Sequence, residues 1–332
     1  MNIYIAGVAP MVPGVKSVED LVLYEHHQVA NLSRENWFEP KLDLGGRGYK
    51  YFSLATQYML AAIKKLPANR GEFTDSIDEV SKGIIIGSNS CTRQTLDQMD
   101  EAILTSGADG INPMLAPNFC ANVGTGALSI KNRAKAFNIT LMNPITAGLE
   151  AIIQAKTAIM TGRATYAITG SCEEDSEFYL ANRIPVRTTG GACAVALSAS
   201  KDENTIAQIG KTISLFLPPT TSNRDDFRQI LHDALSPVLM GKNKINIALS
   251  RINEPHSNAV SEILLDIFAE LGNPLTRGLI DSPEMKLGSL DAVLKLARRC
   301  HDEEDGLIVA ISPAGQLSMI EIIKNVGEKN DD

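Results

Sequence analysis

The chain has no uninterrupted apolar stretch of the roughly 20 residues that a membrane-spanning helix needs. Its first residues lack the basic start and apolar run of a secretory signal. No short repeat or low-complexity tract is present, so a repeat array is not indicated. The five cysteines (Cys91, Cys120, Cys172, Cys193, Cys300) are scattered, without pairing or zinc spacing, which argues against a disulfide scaffold and a structural zinc site. Positive charge is in the minority: 31 Lys and Arg stand against 39 Asp and Glu, a net charge of −8. That balance argues against nucleic acid or an anionic membrane as partner. A reduced, cytoplasmic setting fits these absences, with no metal expected. What is present is apolar material: 44% of the 332 residues are hydrophobic, enough for one large domain or two small ones. The tail Glu328–Asp332 is expected to be disordered.

Residues 137–170 carry the most information. Ile139, Leu141 and their neighbours read as a buried strand. Asn143-Pro144 breaks the run. Leu149, Ile152, Ile153, Lys156 and Ile159 then recur at helical spacing, Thr161-Gly162 ends the helix, and Tyr166–Gly170 resumes as a strand.

This strand–turn–helix–strand segment resembles the nucleophile elbow of β-ketoacyl synthases of the thiolase superfamily. Gly148 at the helix entry, the Gly162-Arg163-Ala164 turn and Gly170 match that pattern. The similarity continues in order along nearly the whole chain. Met1–Val8 matches the opening strand, Gly45–Leu60 a first helix, Ile84–Gly87 a short buried strand and Pro117–Ile130 the segment before the elbow. Gly190–Ser200 matches a small-residue strand, and Ser312–Gln316 a late glycine-rich turn. The resemblance implies an α/β, thiolase-like fold of two pseudo-symmetric halves in α-β-α-β-α layers. The halves would be residues 1–200 and 201–332, the second shortened between Ser200 and Lys244.

The catalytic positions depart from the family. Where the family has its cysteine stands Ile145, which has no proton to lose and cannot form a thioester. The first histidine position falls on Arg251 or, with another gap, Asn253; His256 comes a few residues late. The second falls on Met285, the supporting lysine on Ile280 and the gating phenylalanine on Pro313. Decarboxylative condensation needs a thiolate and donors to the enolate oxygen, and no such group stands at these positions. With the scaffold glycines kept and the chemistry gone, the chain looks like a chain-length factor, the inactive ketosynthase-like subunit of a type II polyketide synthase.

That resemblance implies an active ketosynthase as partner in a heterodimer, and an acyl-carrier protein whose phosphopantetheine carries the acyl groups, with no cofactor held by this chain. Met114, Pro117, Asn118, Phe119, Cys120, Met142 and Asn143 are the candidates for lining the acyl tunnel and interface, with Phe119 equally readable as core. The strand ending Thr140–Met142 and the helix Gly148–Met160 are expected at that interface. Other readings stand beside this one. Cys120 or Cys172 could be a relocated nucleophile, although Cys172 is followed by Glu173, Glu174 and Asp175, which disfavour a thiolate. His256 reads as a surface turn residue, and adjacent His26 and His27 diverge on a helix, so metal binding there is not expected. Thr146 has no general base placed near it in sequence. Gly45-Gly46-Arg47-Gly48 is superficially like a phosphate loop but lacks the lysine–serine/threonine pair. A purely stabilising or regulatory pseudoenzyme is a further alternative.

Overall fold

The computed structural model describes residues 1–15, 17–21, 37–45, 47–67, 76–179, 185–217, 224–239, 246–271, 280–281 and 287–324. Met285, like His26, His27 and the tail, lies outside them. The first part of the chain runs β1 (Ile3–Met11), α1 (Pro40–Leu44), α2 (Leu54–Lys65), β2 (Lys82–Ser88), α3 (Arg93–Ser106), α4 (Asn122–Lys131), β3 (Phe137–Met142), α5 (Ala147–Met160) and β4 (Tyr166–Glu173). A two-stranded excursion, β5 (Ser176–Tyr179) with β6 (Pro185–Thr188), precedes β7 (Gly191–Ser198). The second part runs β8 (Ala207–Phe216), α6 (Arg224–Leu239), β9 (Asn246–Ser250), α7 (Pro255–Glu270), β10 (Ile280–Asp281), α8 (Leu290–Arg299), β11 (Gly306–Ile311) and β12 (Gln316–Ile323).

Strand order gives the architecture away. The ten strands of the main sheet lie in the order β10-β9-β11-β12-β8-β1-β7-β4-β2-β3. Read outward from its middle, each side has the same topology: β1, β7, β4, β2, β3 on one and β8, β12, β11, β9, β10 on the other. Pairings repeat as well: β2 is parallel to β3 and β4, as β9 is to β10 and β11, while β4–β7 and β11–β12 are antiparallel. The two sides are joined by a short antiparallel contact, Ile3–Ile5 against Ala207–Ile209.

Three apolar clusters separate the layers. One packs the outer helices α2 and α4 on one face of the first half-sheet, through residues such as Met59, Ile63, Leu128, Ile84 and Ile168. Another packs α6 and α7 on the second half-sheet, through Leu231, Leu235, Leu264 and Phe268. The central cluster takes residues from both half-sheets and wraps α5 and α8. The layering is thus α-β-α-β-α, as the resemblance implies. Helix α5 is buried nearly all round, packed between the half-sheets and α8, and only Gln154, Thr157 and Met160 are exposed on it. Lys156 reaches the other half, donating to the Gly210 carbonyl at 2.6 Å. The expectation that Gly148–Met160 contributes to an interface with another protein is therefore corrected: the helix is spent on the interior of this chain.

Two other local expectations are also corrected. The stretch Gly45–Leu60 is helical only from Leu54, because Gly45 and Gly48 sit at φ 92° and 89° and Ser53 caps the helix by accepting from the Thr56 amide. His256 is half-buried in the first turn of α7, capped by Glu254, rather than on a surface turn.

The central layer is closest where α5 meets the start of α8. A Cβ on Gly148 would lie 2.5 Å from the Ser289 carbonyl oxygen and 2.5 Å from Val293 Cγ2. Gly148→Ala should therefore force the two helices apart and lower unfolding free energy by about 1–3 kcal/mol in denaturant titration. An unchanged midpoint would show that this approach is looser than described.

Candidate functional site

The elbow is built where β3 ends. Asn143-Pro144 stops the strand, and the Thr146 amide donates to the Pro144 carbonyl at 2.7 Å, closing a three-residue turn around Ile145. Ile145 takes φ 67°. A β-branched side chain is an outlier there, and a turn of this kind with positive φ is the strained form. Such strain persists only where the surroundings over-determine the backbone, and a sharp strand-to-helix turn is a geometry that thrusts a side chain forward for chemistry. Here the side chain is aliphatic and 5% exposed, packed into the central cluster.

The brace around this turn is polar. Glu150, in the first turn of α5, accepts from Asn143 Nδ2 at 3.2 Å and from Thr146 Oγ1 at 2.9 Å. A carboxylate is thus in contact with Thr146, against the expectation of none. With Thr146 fully buried and this proton directed at the α5 turn, the pair locks the elbow's shape.

The second half carries an equivalent turn before α8: Gly288 at φ 57°, then Ser289 and the helix. Behind it sits a group the sequence shows only as charge beside Cys172. Glu173, at the end of β4, is fully buried. Its carboxylate accepts from Ser90 Oγ at 2.6 Å, the Ser90 amide at 2.8 Å, the Asn89 amide at 3.1 Å and Ser88 Oγ at 3.3 Å. From the other half it accepts from Ser289 Oγ at 2.5 Å and the Ser289 amide at 3.1 Å. The carboxylate therefore satisfies the open N-terminus of α8, where negative charge is favoured, and ties it to the end of β2. Glu174 beside it is also buried, and desolvation raises its carboxyl to about 7 even though the amides of Gln94, Ala55 and Leu54 hold it down.

Arg251 and Asn253, read from the sequence as candidates for one histidine position, are both linked to Asn258 of α7. The Arg251 guanidinium donates to Asn258 Oδ1, and Asn258 Nδ2 donates to Asn253 Oδ1 at 3.0 Å, both beyond the end of β9. Pro313 is buried in the tight turn between β11 and β12, where the Gly315 amide reaches the Ser312 carbonyl at 2.9 Å. His256 stands edge-on to Phe227 with ring centroids 6.1 Å apart, and burial lowers its pKa.

The tunnel candidates separate into two groups. Met114, Phe119 and Met142 are 56%, 53% and 50% exposed, so Phe119 is not core. Pro117 is exposed and Asn143 half-buried. Asn118 is buried, donating to the Tyr51 carbonyl, and with half-buried Cys120 it lines a small cavity. Thr140 on β3 bonds Thr125 at 2.7 Å and the Ala121 carbonyl at 3.3 Å, which sets this segment beside the edge strand. That edge is apolar, half-exposed and unlike the fully buried strands next to it.

Four of the five thiols are buried: desolvation holds Cys91 and Cys300 at about 12 and pushes Cys172 and Cys193 far up, so none supplies a thiolate near neutrality. Among the described residues no three His, Cys, Asp or Glu are grouped to hold a metal, and no helix is long and apolar enough to cross a membrane.

No family model matches the chain. Over 166 residues, half of this chain, it is 27% identical to 3-oxoacyl-[acyl-carrier-protein] synthase 2 of Coxiella burnetii (strain RSA 493 / Nine Mile phase I), and it spans 38% of that relative's length. Two solved structures are similar across the whole chain. One is a chain of the AntDE:AntF complex, described as a type II PKS acyl-carrier protein in complex with its ketosynthase bound to the hexaketide. Its TM-score is 0.78 at 15% identity, covering 97% of this chain and 99% of that one. The other is the ishigamide ketosynthase/chain length factor, with TM-score 0.75 at 17% identity, covering 98% and 99%. The chain thus has the thiolase-like fold of the ketosynthases and chain-length factors.

Two predictions follow from the geometry of the turn and its acids. At a left-handed position glycine is unstrained and alanine is not, so Ile145→Gly should be more stable than Ile145→Ala by about 1 kcal/mol, the reverse of the order in regular structure. Equal or opposite order in chemical denaturation would show that residue 145 is unstrained. Glu174 has a folded pKa above its unfolded value of 4.5, so its stabilising effect is intact below about 4.5 and is lost as pH rises towards 7. Glu174→Gln should flatten the fall in stability across that window; a slope equal to the parent's would contradict the assignment.

Proposed function

We propose that this chain is a non-catalytic ketosynthase-like subunit that pairs with an active ketosynthase, walls the acyl tunnel at their interface and helps set polyketide chain length. The growing acyl group rides on the partner's cysteine and arrives on the phosphopantetheine of an acyl-carrier protein. The reading rests chiefly on Ile145: the strained turn of a nucleophile elbow, kept at the cost of backbone energy, with a side chain that cannot react. The fold shared with a ketosynthase/chain length factor supports it, with residues 1–200 and 201–332 as its two halves.

The exposed edge supports the pairing. A largely apolar edge strand left open is a template for another chain. Met142 ends β3, and Phe119 and Met114 lie in the segment before α4; each is at least half exposed on the lone subunit. An obligate interface of the usual size, above about 2,000 Å², would cover them. Side chains there act by bulk: a methylene forced into a closed, packed end costs roughly 1–3 kcal/mol, or about 10–100-fold in chain length selection.

One observation favours a second reading. Cys120 is half-buried beside a small cavity, unlike the four buried thiols, so a divergent acyltransferase would use it. Acylation of this chain by an acyl-carrier protein or coenzyme A thioester, lost on replacing Cys120, would support that reading; the chain-length role is tested at Phe119. With the chain co-expressed beside an active ketosynthase and an acyl-carrier protein, Phe119→Ala should lengthen the product and Phe119→Trp shorten it, with the heterodimer intact by size exclusion. An unaltered product distribution from an intact heterodimer would contradict a role in chain length and leave only a stabilising one.

A further inference from the structure

A second cavity lies far from the elbow. It has a volume of about 380 Å³ and opens at the N-terminal ends of β2 and β4, under helices α2 and α4. Strand β2 runs from Lys82 at this cavity to Ser88 at the Glu173 cluster, about 20 Å away at ordinary strand rise. The cavity is within the size range of small-molecule sites.

Its lining has two characters. Arg47, Lys64, Lys82, Lys131 and Arg133 line it, and among the described residues no Asp or Glu does. This concentration is the reverse of the chain's overall −8. Lys82 is 8% exposed, so a cation stands in the floor as well as at the rim. The loop before α2 shapes the mouth. Gly45 and Gly48 are both at positive φ, and a Cβ added to them would stand 3.9 Å from Lys64 Nζ and 3.6 Å from Lys131 Nζ respectively. Lys64 Nζ also donates to the Leu44 carbonyl at 2.8 Å, which fixes the ammonium without neutralising it. Arg133 is paired with Glu79 and contributes less. The same elements also contribute apolar lining: Tyr49 and Phe52 from the loop, Leu60 from α2 and Ile168 from β4.

From this arrangement we infer that the cavity binds an organic anion, a carboxylate or phosphate carried on an apolar body. The cations take the charged head, and the aromatic and aliphatic lining takes the body. In a concave, partly desolvated site the charge pairing is stronger than on an open surface, and each part excludes ligands that lack the other.

Isothermal titration of the full chain tests this with four probes: octanoate, octyl phosphate, 1-octanol and inorganic phosphate. Octanoate and octyl phosphate should each bind once. Octanol and inorganic phosphate should bind at least tenfold more weakly. Octanoate affinity should fall several-fold between about 50 and 300 mM salt. Lys131→Glu and Lys64→Glu, both at exposed positions, should each weaken octanoate at least tenfold, whereas Arg93→Gln on α3 should leave it unchanged. Equal binding of octanol and octanoate, absence of binding at millimolar octanoate, or indifference to both lysine changes would each overturn the proposal.

Discussion

Two buried helices that leave no room for a Cβ between them hold this structure in place. Gly148 of α5 lies against Ser289 at the start of α8, and Ser289 is bonded through its amide and hydroxyl to the buried Glu173 carboxylate at the end of β4. A charge with that many donors is costly to disturb, because removing any donor strands part of it in a dry interior. The two half-sheets, joined directly only by the short contact of β1 with β8, are thus registered on each other through their middle layer. The turn at Ile145 inherits its shape from the same contact, since it leads straight into the helix that Gly148 docks.

Two pseudo-equivalent turns meet this layer with different residues. The one before α8 uses Gly288, which takes positive φ without cost. The one before α5 uses Ile145, which does not. Retaining a β-branched residue there only makes sense physically if packing fixes the backbone whatever side chain it carries. Under the proposed reading, the elbow of a chemically silent subunit serves as a structural joint, and its side chain fills the core where a nucleophile would need an opening.

Much of this was legible in the residues themselves. Strands β2, β3, β4 and β7 and helix α5 lie within a few residues of where the apolar runs, Asn143-Pro144 and Thr161-Gly162 place them, because those elements are short-range in origin. The extent of burial was not legible. An amphipathic reading of Gly148–Met160 gives one apolar face, but the helix is covered on nearly all sides because α8, distant in sequence, closes the other. Glu173 was hidden for the same reason: its donors come from residues 88–90 and 289, and the first of three acids after a cysteine looks like unfavourable charge. The start of α2 at Leu54 turned on a single serine cap. The cavity at Lys82 depends on basic residues spread from Arg47 to Arg133, which no local pattern connects.

The central claim is that this chain keeps the elbow and lacks its chemistry. It is tested most directly by intact-mass spectrometry of both subunits after the chain, an active ketosynthase and a loaded acyl-carrier protein have reacted together. The account predicts an acyl adduct on the ketosynthase and an unmodified mass for this chain. An acyl adduct on this chain, removed by replacing Cys120 or any other of its cysteines, would contradict it.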